Sequence, residues 1–212
     1  MTYHVKEIFY TLQGEGFNSG RPAVFCRFVG CNLWSGQEVK RKDAICQFCD
    51  TDFVLPFGEG GGSFSSEVEL SRRIASYWPL RDDRREFFVV LTGGEPLLQV
   101  DQLLIDALHD EEAFVAVETN GTIVPDCNLD WICVSPKAQA PLNLLCGNEL
   151  KVVFPQYGQD FSYYEGLKFD HFFVQPMDGP DLKKNTMLAI SYCKRNPKWH
   201  LSVQLHKFLG IS

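Results

Sequence analysis

The sequence predicts an α/β fold whose strands run mostly parallel, and three observations carry that expectation. Phe87 to Leu91, Phe114 to Val117, Trp131 to Val134, Leu150 to Phe154 and Phe172 to Val174 are short apolar runs of the kind that form strands buried on both faces. Helical apolar spacing lies between several of them. Most of these runs are followed at once by small, polar or charged residues. Right-handed crossovers would gather such strand ends along one rim, where α/β proteins usually place their active sites.

In chain order, Val5 to Tyr10 and Ala23 to Phe28 read as two further strands. The second alternates Ala23, Phe25 and Arg27 on one face with Val24, Cys26 and Phe28 on the other. Phe57 to Ser63 is rich in glycine and reads as a flexible loop, too short to separate two cores. Ser66 and Glu69 form a capping box that opens a helix through about Tyr77, with Val68, Leu70, Ile74 and Trp78 as its apolar positions and Pro79 as its stop. Pro96 starts a helix carrying Leu97, Val100, Leu104, Ala107 and Leu108. A shorter helix is expected around Asp160 to Leu167, and Asp181 can cap another running through Met187, Ile190 and Cys193.

Composition bounds the function. The chain has 212 residues, 45% hydrophobic and 22% charged, so a single domain with a sizeable core is expected. Twenty basic against 27 acidic residues give a net charge of -7, which disfavours tight direct binding of long nucleic acid and favours a small ligand. No apolar stretch approaches the roughly 18 residues of a membrane span. Met1 to Glu7 lacks the basic start and apolar core of a signal peptide, so a cytosolic protein is expected. Its eight cysteines are then reduced, and they pack, ligate metal or react.

Two constellations stand out. The first is the set of strand-end segments Thr92-Gly93-Gly94-Glu95-Pro96, Glu118-Thr119-Asn120-Gly121, Ser135-Pro136-Lys137 and Gln175-Pro176-Met177-Asp178. Any one of them is explained as well by a strand terminus or a helix cap, but the four together point to one mouth. Gly93 and Gly94 would let the backbone approach a ligand, although turn geometry explains them equally well, and Lys137 could meet a carboxylate or simply reach solvent. The second is Cys31, Cys46 and Cys49, spaced C-x14-C-x2-C. With Cys26 they would make four thiolates that suit a structural zinc, and a noncatalytic zinc-binding module is one reading. Strand alternation sends Cys26 to the face of Val24 and Phe28, as a small buried hydrophobe. Three cysteines then remain, enough for a [4Fe-4S] cluster with one iron open to a substrate or cofactor. Cys127, Cys133, Cys146 and Cys193 read as structural thiols.

These residues carry a resemblance. A three-cysteine motif after an early strand, followed by Thr92-Gly93-Gly94-Glu95-Pro96 after the next, resembles the radical S-adenosylmethionine (SAM) superfamily. More narrowly, Leu12-Gln13-Gly14-Glu15-Gly16, Arg27, Cys49-Asp50-Thr51, the strand-end segments and His206-Lys207-Phe208 resemble the 7-carboxy-7-deazaguanine synthases over nearly the whole chain. The superfamily usually separates its first two cysteines by three residues, whereas here Asn32 to Ile45 form an insertion, as in some members of the synthase family.

The resemblance implies an incomplete, modified (β/α) barrel spanning residues 1–212 and a homodimer served by an external electron donor such as flavodoxin. It implies conversion of 6-carboxy-5,6,7,8-tetrahydropterin to 7-carboxy-7-deazaguanine with loss of ammonia, SAM acting as a regenerated cofactor. By the same resemblance Cys31, Cys46 and Cys49 hold the cluster, and Thr51 binds Mg2+. Phe48, Gly94, Ser135, Pro136, Lys137, Gln175, Pro176, Met177 and Asp178 bind SAM, while Leu12, Gln13, Gly14, Arg27, Thr92, His206 and Ser212 contact the pterin. Arg27 also has a physical case of its own, since a planar guanidinium forks onto a carboxylate such as the substrate carries. His206, Phe208 and Leu209 would anchor the C-terminus so that the Ser212 carboxylate reaches the site. A glycyl-radical-enzyme activase, with the same cofactor chemistry and a protein substrate, is the nearest rival.

Overall fold

The computed structural model of the chain describes residues 2–79 and 86–211. Its elements are β1 (Tyr3–Leu12), β2 (Pro22–Phe28), β3 (Gly62–Phe64), α1 (Glu67–Ala75), β4 (Phe88–Gly93), α2 (Gln102–Asp110) and β5 (Phe114–Thr119). There follow β6 (Trp131–Val134), β7 (Cys146–Phe154), α3 (Phe161–Glu165), β8 (Lys168–Pro176), α4 (Leu182–Arg195), β9 (Trp199–Leu201) and α5 (Leu205–Leu209). Short 3-10 turns occupy Glu38–Asp43 and Pro96–Leu98.

All the strands join one sheet, in the order β3-β1-β2-β4-β5-β6-β7-β8-β9. From β2 across to β9 neighbours run parallel, and β1 is antiparallel to both β2 and β3. The order ends at β3 and β9 without closing, so the α/β fold is an open barrel. Side chains and loops, rather than strand pairing, draw its two sides together. Gln175 of β8 donates to Glu15, just past β1, at 3.0 Å, and the Leu205 N–H donates to the Gly14 carbonyl at 2.9 Å.

The strands have apolar residues on both faces because the sheet lies between helices and an interior. Val89 and Leu91 of β4 face outward, packed with Val24, Cys26, Val115 and Val117 under Leu70, Ile74, Leu104 and Leu108 of α1 and α2. The intervening Phe88 and Val90 pack inward with Ala23 and Ala116. A second layer covers β6 to β9, where Leu150, Val152, Phe172, Val174 and Trp199 pack beneath Tyr164 of α3 and Ala189 of α4.

Several expectations need correction. Pro96 does not start a long helix. The buried Glu95 carboxylate accepts the Leu97 N–H at 3.1 Å and closes only one 3-10 turn, and α2 starts afresh at the cap Asp101, whose side chain accepts the Leu104 N–H at 3.0 Å. The glycine-rich segment is not a free loop either. Its end forms β3, and Gly58 and Glu59 bond the backbone of Lys6 and Ile8, covering an edge of β1 that would otherwise be unpaired. The capping box is half made: Ser66 accepts the Glu69 N–H, but the Glu69 carboxylate bonds Ser65. In α1 Val68 is exposed, and in α4 Met187 is exposed while Asn185 and Ala189 are buried. Asp181 stands at the start of α4 but makes no side-chain capping bond. The strand β9 and helix α5 had no clear signal, being three and five residues long.

Candidate active site

The C-terminal ends of the parallel strands open onto a cavity of about 360 Å³. All four polar strand-end segments reach it: Thr92 to Gly94 at the end of β4, Glu118 to Asn120 at the end of β5, Ser135 and Lys137 after β6, and Gln175, Pro176 and Asp178 at the end of β8. The end of β1 closes one side with Leu12 to Glu15, and the C-terminal segment closes the top with Gln204, His206 and Lys207.

Cys31, Cys46 and Cys49 all line one wall. The Leu33 N–H points at the Cys31 sulfur at 3.4 Å. Cys46 and Cys49 share a hydrogen bond, which draws the Cys49 pKa down to about 6 and pushes the Cys46 thiol up. The loop after β4 packs hard against this wall. A Cβ on Gly94 would stand 2.1 Å from the Gly30 carbonyl oxygen and 2.7 Å from Cys31 Cβ, so only glycine fits. Cys26 takes no part. It is buried in the outer core with Val24 and Phe28, which removes the fourth thiolate that the zinc reading needs. Among the described residues no three His, Cys, Asp or Glu side chains converge on a single-ion position. A cluster asks for no such point, because each thiolate takes a different iron. Three thiols on one cavity wall, with an N–H at Cys31 and a buried Trp34 indole nitrogen that has no acceptor among the described residues, fit that group.

Of the residues expected to hold SAM, Phe48, Gly94, Ser135, Lys137, Gln175, Pro176 and Asp178 line the cavity. Lys137 folds back, its Nζ donating to the Ser135 carbonyl at 2.7 Å and hydroxyl at 2.8 Å. Pro136 and Met177 are not cavity-lining. Pro136 is buried, and Met177 is tied by its backbone to Phe154 and to Asn185. Thr51 lines the cavity next to the cysteine wall. The expected pterin contacts Leu12, Gln13, Gly14, Arg27, Thr92 and His206 all line it as well, and Ser212 lies outside the described residues. Gly14 lets the His206 ring sit close, since a Cβ there would come within 2.3 Å of His206 Nδ1 and the ring would have to shift. Arg27 is not free of partners: its Nε donates to Glu7 at 2.8 Å, an internal ion pair. Its guanidinium also lies 5.7 Å from the centroid of the Phe9 ring, and Glu7 is its hydrogen-bonded carboxylate among the described residues. Phe208 and Leu209 are exposed and anchor nothing. The anchor is Lys207, bridged to Asp50 and Asp178 at 2.5 Å each.

The floor holds a lysine that the sequence did not single out. Lys151 of β7 is buried, and its Nζ lies 2.7 Å from both Glu15 and Glu118. Burial works against its charge, but the carboxylates of Glu118 and Glu15 around it hold its pKa well up. Burial likewise opposes ionisation of Glu15, yet Lys151 prevails and keeps its pKa at about 2. Glu118 in turn accepts from Gln13 at 3.1 Å. The available signal was two charges, Glu149 and Lys151, at alternate positions in β7, which places both on one face, and with Leu150 and Val152 packed in the outer core that face is the inward one. Glu95 does the reverse of what a carboxylate in a strand-end motif suggests. It is fully buried and ties β4 to β5 by accepting from Thr119 and the Asn120 N–H at 2.8 Å each.

Fold and site together define an open α/β-barrel enzyme with a three-cysteine site at the C-terminal mouth of its strands. No protein-family model matches the chain. It is 60% identical over 211 residues to the 7-carboxy-7-deazaguanine synthase of Burkholderia multivorans, covering 100% of both chains. It is 59% identical to that of Bradyrhizobium diazoefficiens and 40% identical to that of Bacteroides thetaiotaomicron, again over 100% of each chain. Its fold matches the crystal structure of QueE from Escherichia coli with a TM-score of 0.73 at 26% identity, covering 97% of this chain and 95% of the other. The chain belongs to the 7-carboxy-7-deazaguanine synthase family of the radical SAM superfamily.

Proposed function

We propose that this chain converts 6-carboxy-5,6,7,8-tetrahydropterin to 7-carboxy-7-deazaguanine with loss of ammonia, in queuosine and related 7-deazapurine biosynthesis. The carrying observation is that one cavity holds the three-cysteine wall on one side and Arg27, Gln13 and His206 elsewhere on its lining. Substrate and product differ by ammonia alone, so the reaction needs no net oxidant, in keeping with a cofactor that is regenerated.

When bound, a [4Fe-4S] cluster on Cys31, Cys46 and Cys49 together with SAM supplies the hydrogen abstraction that starts the reaction. The chain supplies orientation and shelter. Gly94, Ser135, Lys137, Gln175 and Asp178 are assigned to SAM, with Phe48 beside them, and Thr51 to a Mg2+ ion that prefers hard oxygen donors. The terminal nitrogens of Arg27 receive the substrate carboxylate, while Glu7 holds the guanidinium in place from Nε. Glu118 and Glu15, fixed by Lys151, offer acceptors to the N–H groups of the heterocycle. His206 and the C-terminal segment cover the ring from above.

In this reading residues 1–212 are one catalytic unit with 32–45 as an insertion, working as a cytoplasmic homodimer with an external electron donor. No helix among the described residues is long and apolar enough to cross a membrane. The test is anaerobic incubation of the iron-reconstituted, dithionite-reduced protein with SAM, Mg2+ and 6-carboxy-5,6,7,8-tetrahydropterin, followed by mass analysis. The expected outcome is 7-carboxy-7-deazaguanine. Cleavage of SAM without that product would leave the cofactor chemistry standing and refute the substrate.

A further inference from the structure

Trp34 leaves a hydrogen bond unaccounted for. The residue is 7% exposed, and its indole nitrogen is buried with no acceptor among the described residues. An indole nitrogen can only donate, and a buried donor left unpaired costs about 1–3 kcal/mol. Such a group persists where something else supplies the acceptor.

The surroundings show that the ring is held rather than loosely packed. Trp34 meets Phe53 edge to face, with centroids 5.5 Å apart and planes at 88°. The Arg41 guanidinium lies 4.0 Å from the centroid of the indole. Arg41 is itself pinned, through Nε and Nη2 to the Glu38 carboxylate and through Nη1 to the carbonyls of Gln47 and Cys49 at 3.0 Å each. The insertion therefore grips the Cys46–Cys49 loop and fixes the indole by one and the same arginine. Trp34 lines the cavity together with Cys31, Cys46 and Cys49 and lies three residues after Cys31.

We propose that the Trp34 indole N–H donates a hydrogen bond to a sulfur of the iron–sulfur cluster held by Cys31, Cys46 and Cys49, and so raises its reduction potential. The physical basis is that reduction places another negative charge on the cluster, and a donor aimed at its sulfur stabilises that charge. Residues 32–45 are then part of the cluster's own shell, with Arg41 as the residue that positions the donor. The inference depends on the cluster and not on the substrate, so a protein that holds iron but makes no deazaguanine would leave it standing.

The test uses the full chain with its cluster reconstituted and no substrate present. Trp34→Phe keeps the ring and its packing but removes the N–H. Redox titration followed by electron paramagnetic resonance is expected to show the same iron content as the parent and a lower midpoint, with several-fold less cluster reduced at a fixed poise. The parent protein carrying 15N-labelled tryptophan is expected to show an indole nitrogen coupled to the reduced cluster in pulsed resonance spectra, a measurement that stands even if the variant fails to fold. An unshifted midpoint in a cluster-replete Trp34→Phe protein, or no indole coupling in the parent, overturns the proposal.

Discussion

Arg27 shows how one side chain serves fold and site together. It is mostly buried, bonded to Glu7 through Nε, and open to the cavity through its remaining nitrogens. Arg27→Ala removes the carboxylate's partner without touching a cysteine. The expected outcome is unchanged iron content with kcat/KM lowered roughly 10- to 150-fold, the worth of about 1.5–3 kcal/mol for hydrogen bonds to a charged group. Steady-state kinetics beside iron analysis would decide, and parent-like kinetics would remove Arg27 from the site. Glu15 makes a prediction about pH. Its pKa falls from 4.5 to about 2 in the folded chain, against the pull of burial, because of Lys151. A depressed carboxylate contributes stability that is complete above the unfolded value and is lost as pH falls through the folded one. The urea midpoint is therefore expected to fall between about pH 5 and 2, and Glu15→Gln to flatten that slope. At this scale Arg27 and the three cysteines were legible as candidates, because spacing and strand alternation mark them, and all four line the cavity. Lys151 was not, since a lone lysine in Leu150 to Phe154 looks like an interruption until folding brings Glu15 and Glu118 to it.

At the scale of elements, most strands and helices stand where apolar periodicity put them, and the exceptions share a cause. Pro96 had every local mark of a helix start, yet Glu95 turns inward to Thr119 at the end of β5 and to Asn120 just beyond it, and the chain must turn again before α2 can lie along the sheet. The working cap is Asp101, which accepts from the Leu104 N–H and also from the Tyr3 hydroxyl at 2.8 Å. Asp101→Ala is expected to cost about 1 kcal/mol from the cap alone. For a chain of this size that lowers Tm by roughly 2–4 °C. Calorimetry should show the drop without loss of iron; an unchanged Tm would mean that Pro96, not Asp101, organises this segment. The edge strand β3 escaped notice because its three residues, Gly62 to Phe64, carry no β pattern, and pairing with β1 decides its conformation.

For the molecule as a whole, the open barrel depends on a clasp. With β3 and β9 unpaired to each other, the segment from Gln204 to Ile211 bridges the mouth, held by Leu205 to Gly14 and by Lys207 to Asp50 and Asp178. Helix α5 buries none of its own residues, so these polar ties hold it rather than a core. Lys207→Met is expected to leave the unfolding free energy within about 1 kcal/mol of the parent, as for partly exposed ion pairs, while raising KM. Hydrogen exchange over residues 203–211 should speed up in the same variant. Unchanged exchange would show that the clasp rests on the backbone bond to Gly14 instead.

Sequence alone determined the α/β class, the three-cysteine motif and the set of strand ends that face one mouth. It could do so because side-chain periodicity and close cysteine spacing are local properties of the chain. Tertiary structure decided which charges meet beneath the cavity, that Cys26 and Glu95 belong to the core, and that Lys207 rather than Phe208 secures the C-terminal segment. Those outcomes depend on contacts between residues as far apart as Glu15 and Lys151 or Asp50 and Lys207, whose energies exist only once the sheet has curled and excluded water.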